Sequence, residues 1–85
     1  MGKVIVVFRV MPKGVEVNLD ELEAEVKSRI SPQKVERVPI AFGLQALKVT
    51  KLVEEAEGEL EKVENELKSI NSVSEVDVLE VSRSI

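Results

Sequence analysis

Apolar residues recur along this 85-residue chain with two alternating periods, and the switches between them mark out six elements. Val4 to Met11 (VIVVFRVM) is a β-branched run bounded by Pro12, as expected of a strand in the middle of a sheet. Successive side chains of a strand point to opposite faces, so Val4, Val6, Phe8 and Val10 share one face. Ile5, Val7, Arg9 and Met11 share the other, and Arg9 marks it as the more solvent-facing. Beyond the loop Pro12 to Val17 the period changes to three and four. Leu19, Leu22, Val26 and Ile30 then form one stripe of an amphipathic helix. Asn18 is placed to cap it, with Glu21 three positions on as in a capping box. Pro32 closes it by pushing Ser31 out of helical geometry. On the outer surface, Glu23 with Lys27 and Glu25 with Arg29 are favourable i,i+4 pairs.

Lys34 to Ile40 alternates polar and apolar once more and reads as a strand. Pro39 cannot donate to a ladder, which assigns this strand to a sheet edge. Leu44 to Val53 is the next strand. Ala41-Phe42-Gly43 between them is short enough for a hairpin tip, with glycine easing the turn. Leu60, Val63, Leu67 and Ile70 make a second helical stripe, starting near Gly58, carrying the pair Glu64 with Lys68, and stopping at Asn71. Val73 to Val81 gives the last strand. The order strand, helix, strand, strand, helix, strand, joined by right-handed crossovers, is the α+β ferredoxin-like βαββαβ plait. It predicts a four-stranded antiparallel sheet of spatial order 4-1-3-2 with two helices on one face, as a single domain spanning residues 1–85. That order puts the second strand at an edge, where Pro39 had already placed it.

Composition removes most catalytic chemistry. The chain has no Cys and no His, which excludes disulfides, thiolate nucleophiles, imidazole bases and the usual zinc ligands. Phe8 and Phe42 are its only aromatics, too few for a stacking platform, and a net charge of −4 repels phosphate backbones, so no direct nucleic-acid partner is expected. The longest apolar stretch, Val4 to Phe8, cannot span a bilayer, no secretory signal is visible, and a cytoplasmic location follows as the expectation. No phosphate-cradling glycine loop occurs. Glu54, Glu55, Glu57, Glu59 and Glu61 crowd the start of the second helix, where carboxylates favour the helix dipole. They lack the offsets of a calcium loop. No catalytic residue, cofactor or resident metal is therefore expected.

Two residues invite a binding role. Phe42 at the hairpin tip is either tucked under its loop or held out as an anchor of the kind common at interface hot spots. Arg83, within Val81-Ser82-Arg83-Ser84-Ile85, is either a solvated charge at a frayed end or a cation delivered into an anionic site.

The run Val38-Pro39-Ile40-Ala41-Phe42-Gly43-Leu44-Gln45-Ala46-Leu47 resembles the archaeal elongation factor 1-beta family, whose members carry Pro-Ile-Ala-Phe-Gly-Leu and then Ala-Leu here. Val10-Met11-Pro12, Val17-Asn18-Leu19-Asp20 and the ending Val81-Ser82-Arg83 also match in order and spacing. The resemblance implies the same plait and a protein that binds elongation factor 1-alpha, the GTPase that delivers aminoacyl-tRNA, and promotes release of its GDP. It implies an exchange module without covalent chemistry of its own, lacking the extra N-terminal domain of eukaryotic relatives. In those relatives an aromatic at the position of Phe42 contacts the GTPase and a lysine near the extreme C-terminus disturbs its Mg²⁺ site. Here that lysine's position holds Ser84, and Arg83 is the nearest cation. The expected partner-binding residues are thus Pro39, Ile40, Ala41, Phe42, Gly43, Leu44, Arg83, Ser84 and Ile85. Phe42, Ile40 and Leu44 would hold the switch region open while Arg83 perturbs Mg²⁺ and phosphate contacts. On fold alone, a small-molecule-sensing or purely structural interaction module is an alternative.

Overall fold

Burial follows the alternation of the first strand. In the computed structural model, which describes residues 2–41 and 43–84 (the side chain of Ser84 excepted), β1 spans Lys3–Pro12. Val6, Phe8 and Val10 on one of its faces are fully buried. The remaining elements are α1 (Leu19–Ile30), β2 (Lys34–Ala41), β3 (Leu44–Glu54), α2 (Glu59–Lys68) and β4 (Val73–Ser84). β1 pairs antiparallel with both β3 and β4, and β2 pairs antiparallel with β3. The strand order β2-β3-β1-β4 is the expected 4-1-3-2 read from the other edge, with β2 and its Pro39 outermost. Among the described residues no helix is long and apolar enough to cross a membrane.

One core lies between the sheet and the two helices. Leu22, Val26 and Ile30 of α1 and Leu67 of α2 meet Phe8, Leu47, Val49 and Val76, with Leu19, Leu60 and Val63 packed at its margin. The opposite face of the sheet is open. Val7 is nonetheless almost covered there, because Thr50 and Glu80 flank it across the two ladders. Arg9 on the same face is tied to Asp77 at 2.8 Å, so its charge is met within the sheet.

Local signals set most boundaries. The Glu21 backbone N–H donates to Asn18 Oδ1 at 3.1 Å, the cap that the sequence predicts. Ser31 ends α1 in the left-handed region (φ 46°) rather than in the extended region favoured before proline, and its own N–H still reaches the Lys27 carbonyl at 3.1 Å. Three expectations need correction. α2 stops at Lys68, before Asn71, because the Ser69 hydroxyl donates back to the Glu66 carbonyl at 2.7 Å and the chain turns there; Ile70 is buried from outside the helix. Glu23 pairs with Arg37 of β2 and not with Lys27. β4 continues past Val81 to Ser84, since β1 begins early enough to keep pairing with it.

Candidate functional site

The partner-binding residues expected from sequence divide between two places. At the hairpin, β2 and β3 are in register with Pro39 opposite Gln45, and the register slips between Pro39 and Ala41 as the strands enter the turn. Gly43 takes φ 79°, a conformation that side chains with a Cβ rarely adopt, so glycine is required by the backbone here. Pro39, Ile40 and Ala41 are exposed, Ile40 at 41%, and Leu44 is half-buried. Phe42 lies outside the described residues. Beside the hairpin the β1–α1 loop contributes Val15, which is 67% exposed. A groove of about 50 Å³ runs between that loop and the hairpin, lined by Gly14, Val15, Val17, Gly43, Leu44 and Gln45. Sequence reasoning treated Val15 as loop; no local signal marks it, because only the tertiary fold sets it beside Leu44.

Charge ties this end of β2 to the helix layer. Arg37 reaches from β2 to both Asp20 and Glu23 of α1. Its hydrogen bonds to Glu23, then to Asp20, raise the guanidinium pKa above its already high ordinary value. Arg29 links the two helices, donating to Glu25 at 3.1 Å in α1 and to the Ser69 hydroxyl at 3.0 Å beyond α2.

The second group sits at the other end of the sheet. Arg83 is not at a frayed end: it lies in β4 opposite Val4, one position before Ser84 pairs with Lys3. Its guanidinium meets the Glu55 carboxylate end-on, Nη2 to Oε2 at 2.8 Å and Nη1 to Oε1 at 3.4 Å, the fork geometry that arginine also offers to phosphate. The Glu55 backbone N–H in turn donates to the Gly2 carbonyl at 3.0 Å. The remaining acids of this region disperse: Glu54 faces Lys3 at 3.9 Å and Glu59 faces Lys62 at 3.5 Å. Among the described residues no three acidic side chains converge as a metal site would require. The side chain of Ser84 and all of Ile85 lie outside the described residues.

The fold keeps these two groups apart. Gln45 is opposite Pro39, and Val53 is opposite Val4, which is itself opposite Arg83. Eight residues of β3 separate Gln45 from Val53 (53 − 45), roughly 27 Å at about 3.4 Å per residue. An open depression of about 450 Å³ along the first half of β4, lined by Lys68, Ser74, Glu75 and Asp77 among others, contains none of the candidate residues.

The hairpin and Arg83 fall within a single family match. The family model of the EF-1 guanine nucleotide exchange domain matches residues 5–83. The chain is 42% identical to elongation factor 1-beta of Hyperthermus butylicus, over 98% of this chain and 96% of that one. It is 44% identical to elongation factor 1-beta of Ignicoccus hospitalis over 98% and 94% of the two chains. Against elongation factor 1-beta of Methanothermobacter thermautotrophicus it is 40% identical over 98% of each. With the hairpin and β4 through Arg83 inside one match that covers almost the whole length, the chain belongs to the EF-1 guanine nucleotide exchange domain family.

Proposed function

We propose that this protein promotes exchange of GDP for GTP on elongation factor 1-alpha, by binding the GTPase and weakening its hold on nucleotide and Mg²⁺. The observation that carries this reading is the family match over residues 5–83, which includes both the hairpin and Arg83. Nucleotide in such a GTPase is held by a phosphate loop and by a Mg²⁺ bridging to the phosphates. An exchange factor must bind the nucleotide-free form more tightly, and by reciprocity nucleotide then weakens the factor's own binding. A coupling of ~3 kcal/mol changes either affinity by about 150-fold. The factor speeds release of both nucleotides, and the surrounding excess of GTP decides which one reloads.

The separation of the two groups supports distinct roles for the two ends. A single Mg²⁺ site cannot be touched by contacts roughly 27 Å apart. In this reading the apolar hairpin, Ile40, Phe42 and Leu44, anchors the protein on the GTPase, and the Arg83 end enters the Mg²⁺ and phosphate region. Arg83 is suited to that exchange of partners because its pair with Glu55 is exposed, and such pairs contribute little. The test is release of a fluorescent GDP analogue from elongation factor 1-alpha with substoichiometric protein. Catalytic acceleration is expected; an unchanged release rate from an active GTPase would refute the reading.

A further inference from the structure

Several ion pairs among the described residues brace the fold. Arg9 joins β1 to β4, Arg29 joins the two helices, and Arg37 fastens β2 to α1. The pair of Arg83 with Glu55 is of another kind. Arg83 lies opposite Val4, and Val4 opposite Val53, so the contact reaches across β1 from β4 to the residue that follows β3. Neither side chain belongs to the hydrophobic core, and that of Arg83 is 77% exposed. The guanidinium can leave its partner without uncovering anything buried.

Glu55 is the fixed member of the pair. Its backbone N–H donates to the Gly2 carbonyl at 3.0 Å. Its carboxylate rests against Gly2 as well, where an added Cβ would stand 3.1 Å from Oε1, closer than such contacts ordinarily come. A glycine at position 2 thus leaves the carboxylate its room. Glu54, the preceding residue, faces Lys3 at 3.9 Å and takes no part. A placed carboxylate therefore holds an arginine that is free to swing away.

A guanidinium fork fits a phosphate as well as it fits a carboxylate. An exposed arginine is then open to any free phosphate in solution. A carboxylate on the same chain competes at an effective concentration of about millimolar or more. Resting on the exchange reading above, we infer that Glu55 is a specificity-determining residue. It fills the Arg83 fork as an internal anion, denies it to free phosphates, and yields it to phosphate oxygens of a GTPase already docked through the hairpin. A dilute free anion loses to the tethered carboxylate. The phosphates of a docked GTPase are tethered too, and the fork passes to them readily because an exposed pair contributes little.

The test is Glu55→Gln, which keeps the shape of the side chain and removes its charge. In the GDP-release assay the variant should need about threefold less protein for half-maximal acceleration, the scale of an exposed pair. Inorganic phosphate added at constant ionic strength should inhibit the variant more strongly than wild type. In an Arg83→Ala background the same substitution should alter neither reading, because Glu55 acts through Arg83. Glu57→Gln removes an exposed acid two residues further on and should leave both readings at the wild-type level, which separates a local effect from a change in net charge. A half-maximal concentration that fails to fall, or a phosphate sensitivity no greater than that of an active wild type, overturns the inference while leaving the exchange function standing. An effect that persists without Arg83, or that Glu57→Gln reproduces, overturns it as well. A wild type that accelerates nothing on an active GTPase removes the exchange reading and this inference with it.

Discussion

At the hairpin end of the sheet, the edge strand β2 is fastened to α1 through Arg37 and its two carboxylate partners. At the opposite end, β4 outruns the helices and holds Arg83 by one exposed pair with Glu55. The first end is braced beneath its loop, and among its described residues Val15 and Ile40 are the large apolar side chains that project. The second presents a whole half-strand of side chains to solvent. The contrast separates two tasks. Stability resides in the shared core below both ends, where Phe8, Leu22, Leu47 and Leu67 meet, and the exposed candidates Ile40 and Arg83 lie outside it. Such a division suits a protein that must bind firmly and then let go.

The largest effect breaks the shared base of the comparison. Phe8→Ala leaves a void in the fully buried centre and should cost about 3–5 kcal/mol, read by chemical denaturation, with both ends losing function together. Phe42→Ala should sharpen the contrast. It is expected to raise the concentration for half-maximal exchange roughly 30-fold, the ~2 kcal/mol that marks a hot spot, without shifting the melting temperature. Asn18→Ala removes the α1 cap and should cost about 1 kcal/mol of stability while exchange by the folded protein is unaltered. The smallest effect is expected from Arg37→Ala, a slight fall in melting temperature that shrinks as salt is added. Its pH dependence follows from the sign of the shift. A raised pKa gives stability that is present below the unfolded-state value and lost only as pH climbs through the folded one. Both lie far above neutrality, so the gap between variant and wild type should be constant from about pH 6 to 9. A gap that closes within that window would show that the brace depends on some other group.

The fold was legible because its signals are local. Period two in Val4–Met11, period three and four in Leu19–Ile30, and Pro39 at an edge each demand one arrangement, and together they demand the observed strand order. The early end of α2 turns on a local bond, from the Ser69 hydroxyl to the Glu66 carbonyl, whereas the other misses depend on distant partners. Nothing in Val81-Ser82-Arg83-Ser84 alternates in hydrophobicity, so β4's true end became visible only in its pairing with Lys3 and Val4 of β1. Glu23 had a correctly spaced lysine on its own helix, and Arg37, fourteen positions away, won it across the fold. The hairpin and Arg83 could be singled out from sequence, but not their separation, since the distance between them is a property of register. Val15 and the exposed Val78, Leu79 and Val81 of β4 were silent for the same reason: exposure of an apolar residue is decided by what the rest of the chain fails to cover.

The most direct measurement is GDP-analogue release from elongation factor 1-alpha across wild type, Phe42→Ala, Arg83→Ala and the Phe42→Ala/Arg83→Ala double variant, each titrated at two Mg²⁺ concentrations. Two-ended action predicts that wild type accelerates release at substoichiometric amounts. Phe42→Ala should mainly raise the concentration required, and Arg83→Ala should mainly lower the plateau and flatten its response to Mg²⁺. Losses that combine independently in the double variant would complete the case. A wild type without effect on an active GTPase, or single variants indistinguishable from wild type, would contradict it.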